Sequence, residues 1–222
     1  MDQSTLDLVR DSLVPLATGL VRGTIPLTIA SFAIGMVIAL VVALMRLSSV
    51  RVLQGIARFY VSVIRGTPLL VQLFLIYYAL PEFGATWDPF PSAVVAFSLN
   101  VGGYASEVVR AAILSVPRGQ TEAALTIGMN YPTTMRRIVL PQAARVAVPP
   151  LSNTLISLVK DTSLASSIQV VELLRKASEI AAPTYEFFAL YSLAAVYYWI
   201  VCLVLSFGQT RVETRLNRHV AR

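Results

Sequence analysis

Charge is scarce in this chain of 222 residues: Asp, Glu, Lys and Arg make up 14% of it, and 56% is hydrophobic. An average soluble domain carries about 25% charged residues. With a mean hydropathy of +0.69, the composition excludes an ordinary water-soluble domain and makes lipid the expected solvent. Lysine is nearly missing; Lys160 and Lys176 are the only two, and every other base is Arg. A formal net charge of +6 suits nucleic acid in principle. Here the Arg residues fall between apolar runs, which is the pattern that reports membrane orientation, so nucleic acid is not an expected partner.

Other shortages exclude chemistries. The single cysteine, Cys202, sits inside an apolar run, so there is no intrachain disulfide and no basis for a metal site. The single histidine is His219, in the tail. With no H-E-x-x-H and no Ser/His pair in an apolar run, an intramembrane hydrolase is unsupported. No G-x-x-x-x-G-K-[ST] occurs, so the chain holds no P-loop and no cofactor of its own; any ATP is bound by a partner subunit. No internal repeat supports an inverted-repeat carrier. Two-fold symmetry would need a second copy of the chain. The opening MDQSTLDLVRD carries three acids and one Arg, unlike the basic start of a cleavable signal, so the first apolar run is expected to be retained.

What the chain does have is long uncharged runs. Arg22 and Arg46 enclose 23 such residues, and Glu186 and Arg211 enclose 24. Both exceed the ~20 that a helix needs to cross the hydrocarbon core. Asp88 to Glu107 encloses 18, Arg65 to Glu82 encloses 16, and Arg145 to Lys160 encloses 14. The last is too short alone. Either it is a buried or re-entrant helix, or it continues through Lys160-Asp161 with protein or water around the charges. The expectation is an all-α polytopic membrane protein, a single domain over 1–222. Its five spans fall near 20–46, 58–81, 90–114, 144–165 and 185–208.

Arg46, Arg51 and Arg58 follow the first span. Arg118, Arg136, Arg137 and Arg145 follow the third, and Arg211, Arg215, Arg218 and Arg222 close the chain. The link PEFGATWDPFPS has only acids. The positive-inside rule then places the N-terminus outside and the C-terminus in the cytoplasm, which requires an odd number of spans. Residues 168–182 show apolar Ile168, Val171, Leu174, Ala177 and Ala181 at helical spacing, an amphipathic helix on the outer surface.

The segment EAALTIGMNYPTTMRRIVLP (122–141) then faces the cytoplasm. Ala123, Ala124 and Leu125 favour a helix starting near Pro117 or Thr121-Glu122. Gly128 can close it in a left-handed cap, Asn130 can cap the next helix, and Pro132 suits its first turn. Such an elbow fits a groove on a soluble partner; it would equally serve as an inert connector.

Glu122-Ala123-Ala124, then Gly128, then Ile138-Val139-Leu140-Pro141 resemble the EAA signature of ABC-importer permeases. RGTPLLVQLFLIYYALP (65–81) and LVKDTSL (158–164) resemble the polar amino-acid branch of that family, with the greatest likeness to its cystine-carrying members. The likeness runs nearly end to end and is weakest over the first two dozen residues. It implies a type I importer transmembrane domain in the bacterial inner membrane, with 118–141 as the coupling loop that docks on the ATPase. Glu122, Ala123, Ala124 and Gly128 would form the coupling helix and its turn. It also implies an ABC ATPase dimer, a second permease copy (a homodimer) and an external solute-binding protein as partners, and a polar amino acid as cargo.

Cargo requires polar groups at depth. Asn100, Tyr104 and Glu107 share one helical face. Arg110 follows Glu107 by three and can pair with it, as a packing seam or as part of the path. Asp161 can accept from a cargo ammonium, while Thr162, Ser163 and Asn100 can donate to a carboxylate; by resemblance, KDTSL lies near the substrate cavity. Lys160 reads as a local ion partner of Asp161. Gln72 is a weaker candidate, and Glu82 suits a gate facing an external protein. The rival readings are a stand-alone secondary carrier or channel for small polar solutes, and a membrane scaffold without transport.

Overall fold

The computed structural model describes residues 3–217, and among these every regular element is a helix. His219, Arg218 and Arg222 lie outside the described residues. Helix α1 (Gln3–Leu47) is continuous over 45 residues, about 68 Å at 1.5 Å per residue and more than twice the ~30 Å core. The expected first span, 20–46, is therefore only its second half. A wide π-type turn at Leu20–Thr24 joins the two halves.

The expected second span, 58–81, is not one helix. It divides into α2 (Arg51–Gly66) and α3 (Leu69–Phe83), bent by 107°. Thr67 and Pro68 are both extended: proline pushes the residue before it out of the helical region and removes a backbone donor. Gln72 repairs the break. Its Nε2 donates to the Ile64 carbonyl (2.8 Å), the Thr67 carbonyl (3.1 Å) and Thr67 Oγ1 (2.9 Å). Those bonds answer the carbonyls left open where α2 stops.

Helix α4 (Pro89–Leu114) is the centre of the bundle, with Ala93, Ala96, Phe97, Val101, Ala105 and Ser106 buried. Small residues let its neighbours close in. A Cβ on Gly103 would stand 2.5 Å from Ile64 Cγ2 of α2. Beside it the Tyr60 hydroxyl donates to the Leu99 carbonyl at 2.6 Å. Helix α5 (Arg118–Thr126) precedes α6, which runs over 131–161 and carries Pro149 and Pro150 in its interior. This helix begins well before the expected 144. A 3-10 turn follows at Thr162–Ile168, so the chain tightens after Lys160-Asp161 rather than breaking there. Helix α7 (Leu173–Thr184) stands for the helix expected at 168–182. Its buried face is Leu173, Ala177 and Ala181, while Val171 is exposed. Helix α8 (Phe187–Asn217) closes the described chain. By length and apolar composition α1 and α8 can each cross a membrane, and the bent α2–α3 pair can form a third crossing.

The junction of α1, α7 and α8 turns on Glu172, a carboxylate with 0% exposure. It caps α7, accepting from the Leu174 N–H (2.8 Å) and the Arg175 N–H (2.6 Å), and it accepts the Tyr198 hydroxyl at 2.7 Å. The chain reaches this depth because α1 offers Gly23, where a Cβ would lie 2.2 Å from the Val171 carbonyl oxygen. Burial pushes the Glu172 carboxyl above its ordinary 4.5, although hydrogen bonds from Tyr198, Leu174, Arg175 and Thr24 pull the other way. A carboxyl raised on folding contributes stability at low pH, and that contribution is lost as pH rises from the ordinary range through the raised value. The melting temperature of the detergent-solubilised protein should therefore fall as pH is raised above 4.5, by more in the wild type than in Glu172→Gln. Glu172→Ala removes the cap and strands the Tyr198 hydroxyl, at a cost of about 2–4 kcal/mol. A pH profile of Glu172→Gln parallel to wild type would remove the carboxylate from this role.

Candidate functional site

A cavity of about 590 Å³ opens where the α2–α3 break, α4 and α6 converge. That volume falls within the ~300–1,000 Å³ typical of small-ligand sites. The break contributes Thr67, Pro68 and Leu69, and α4 contributes Asn100, Val101 and Tyr104. From α6 come Asn153, Thr154, Ser157 and Asp161, with Pro150, Leu158 and the following Leu164. Among the described residues Asp161 is the one charged side chain in the lining.

The structure thus brings three of the expected residues together: Asn100, Tyr104 and Asp161. Thr162 and Ser163 are not among them. Thr162 is wholly buried and its hydroxyl donates to the Val159 carbonyl at 2.7 Å. The reason is helical geometry. Residues four apart share a face, while the next two positions rotate away by about 100° each. The companions of Asp161 are Ser157 and Asn153, at four and eight residues back, and that spacing was the signal available in the sequence. Ser157, Asn153 and Thr154 are the residues that reading by adjacency misses.

Gln72 has a different place from a cargo contact. Its Oε1 accepts from Asn100 Nδ2 at 3.0 Å while its amide nitrogen holds the break. The same side chain therefore fixes both the bend and the orientation of Asn100. Glu82 is exposed on the far turn.

One helical turn along α4 from the cavity, Glu107 accepts from Arg110 Nη2 at 3.0 Å and also from Arg46 Nη1 of α1. Arg110 was the expected partner; Arg46 joins it because α1 and α4 pack side by side. Arg65, on the last turn of α2, stands over the Tyr104 ring with its guanidinium carbon 5.5 Å from the centroid, a cation–π geometry.

At the elbow, α5 starts directly after Pro117, so Glu122 lies mid-helix and caps no helix start. Glu122 and Ala123 are exposed, but Ala124 is buried against the chain itself and is not free to meet a groove. Gly128 has φ +81°. Its N–H bonds the Leu125 carbonyl (3.0 Å) and the Met129 N–H bonds the Ala124 carbonyl (3.0 Å), the paired bonds of a Schellman cap. Asn130 Oδ1 accepts from the Thr133 N–H at 3.0 Å to start α6. The tip between the helices exposes Leu125, Ile127 (75%) and Tyr131 (65%), three apolar residues that a motif centred on Glu122 overlooks.

Comparison with known proteins supplies the context. Residues 9–218 match the family described as binding-protein-dependent transport system inner membrane component. The chain is 58% identical to the L-cystine transport system permease protein of Bacillus subtilis (strain 168), over 97% of this chain and 93% of that protein. It is 38% identical to the glutamine transport system permease protein of Escherichia coli (strain K12), over 92% of this chain and 94% of that one. Among solved structures, an amino acid ABC transporter crystallised with histidines superposes with a TM-score of 0.89 at 36% identity, covering 97% of this chain and 100% of its counterpart. The match spans the cavity, the elbow and both long helices, and the chain belongs to the family of inner-membrane components of binding-protein-dependent transport systems.

Proposed function

We propose that this permease subunit carries a polar amino acid, L-cystine, through the Asp161 cavity of an ATP-driven importer. The observation that carries the reading is the lining itself: one carboxylate among neutral amide and hydroxyl groups, enclosed between a broken helix and two long ones. A zwitterion needs an acceptor for its ammonium, and Asp161 is that acceptor. The 58% identity to an L-cystine permease over almost the full length supports cystine over other amino acids.

In this reading the chain crosses the cytoplasmic membrane five times, N-terminus out and C-terminus in, as its Arg-rich links favour. The elbow 118–141 then faces the cytoplasm, where an ABC ATPase dimer binds ATP and docks on it. Ala123 and the exposed Leu125, Ile127 and Tyr131 form the apolar part of that contact, with Glu122 at its polar edge. A second copy of the chain completes the path, and an external solute-binding protein delivers cargo. Helix α7, on the outer side, lies beside that route.

Reconstitution tests the reading. Liposomes holding the permease with its ATPase and external binding protein are expected to take up radiolabelled L-cystine only with ATP. Permease alone under a cystine gradient is expected to pass none. Flux from the permease alone would establish the stand-alone carrier instead.

A further inference from the structure

Two guanidinium groups hold one carboxylate at the edge of the cavity, and a third, Arg65, stands over Tyr104, three residues before that carboxylate on the same helix. Glu107 is saturated by Arg46 and Arg110. Among the described residues no carboxylate lies within 4 Å of Arg65. The local excess is two positive charges, and a low-dielectric wall strengthens the field such an excess casts into a cleft. Arg65 is exposed to solvent at this edge. It stacks on Tyr104, whose ring lines the cavity, and it sits two residues before Thr67, which also lines it. The break between α2 and α3 holds this end of α2 at the cavity, and Gln72 fixes the break.

The cavity therefore carries a negative charge in its lining, Asp161 on α6, and has a positive charge at its edge, Arg65 on α2, over the ring of the lining residue Tyr104. We propose that Arg65, stacked on Tyr104, recognises a free carboxylate of the cargo, so that the cavity selects solutes bearing both an ammonium and a carboxylate. This rests on the cargo reading above and adds to it the anionic half of the recognition. A guanidinium suits the task because it presents a planar fork of donors that matches a carboxylate in two bonds, and its flat face tolerates the ring beneath it. Lysine in its place would keep the charge and lose the fork.

Equilibrium binding to the purified permease–ATPase complex, without the external binding protein, separates the two halves. The probes are radiolabelled L-cystine and cystamine, which keeps both ammonium groups and the disulfide and lacks the carboxylates. Wild type is expected to bind cystine more tightly than cystamine. Arg65→Gln should weaken cystine roughly 10- to 100-fold and leave cystamine unchanged or bound more tightly, as a nearby like charge is removed, erasing the preference; Arg65→Lys should fall between. Asp161→Asn should weaken both probes. If Arg65→Gln lowers both equally, or neither, the assignment to the carboxylate is overturned while the Asp161 reading stands. If wild type binds neither probe, the cargo reading fails and takes this one with it.

Discussion

Asp161→Asn is expected to reduce ATP-dependent L-cystine uptake by about 100-fold at sub-saturating cargo while leaving the permease–ATPase complex intact. The magnitude follows from leaving a cargo ammonium desolvated without its counter-charge, a loss of about 2–5 kcal/mol, where each 1.4 kcal/mol is tenfold. The substitution keeps size and shape. The cavity should survive it, since Asp161 makes none of the bonds that hold the break or orient Asn100. Retained complex with lost transport separates a cargo role from a folding role. Near-normal uptake by the variant would remove Asp161 from the path and favour a neutral cavity in which Asn153 and Asn100 do the binding.

What could be read from the sequence was whatever depends on local chemistry or on bulk composition. The two longest uncharged runs became the apolar halves of α1 and α8. The Gly128 cap and the Asn130 cap are local backbone devices, and both stand where glycine and asparagine placed them. The Glu107–Arg110 pair was visible as spacing; its third member Arg46 was not, because it arrives from another helix 61 residues away. The α2–α3 break hid behind the tolerance of membrane helices for proline. Glu172 hid for a similar reason. In a mixed segment it reads as one more solvated acid, and the glycines of α1 at positions 19 and 23 let the chain press it inward. The polar face of α6 was present in the sequence as a four-residue period, Asn153, Ser157, Asp161, but the contiguous KDTSL string drew attention to neighbours that helical geometry turns away.

Gly128→Val is expected to uncouple the importer: cystine uptake should fall more than tenfold, and ATP hydrolysis should lose its dependence on the loaded external binding protein. The mechanism is backbone strain rather than collision. At φ +81° a Cβ on residue 128 would have nothing within 4 Å, so there is room for a side chain. A β-branched residue is nevertheless a rare outlier at positive φ, and holding such a conformation costs of order 1–3 kcal/mol. The elbow would relieve that strain by leaving the Schellman geometry, breaking the bonds from Gly128 and Met129 to the end of α5. Leu125, Ile127 and Tyr131 would then no longer present one apolar tip. Asn tolerates the left-handed region far better than Val, so Gly128→Asn should retain most of the activity. The same ordering should appear in co-purification with the ATPase, Val weakest and Asn near wild type. Wild-type coupling in the Val variant, or equal damage from Val and Asn, would show that the elbow does not transmit force through this turn.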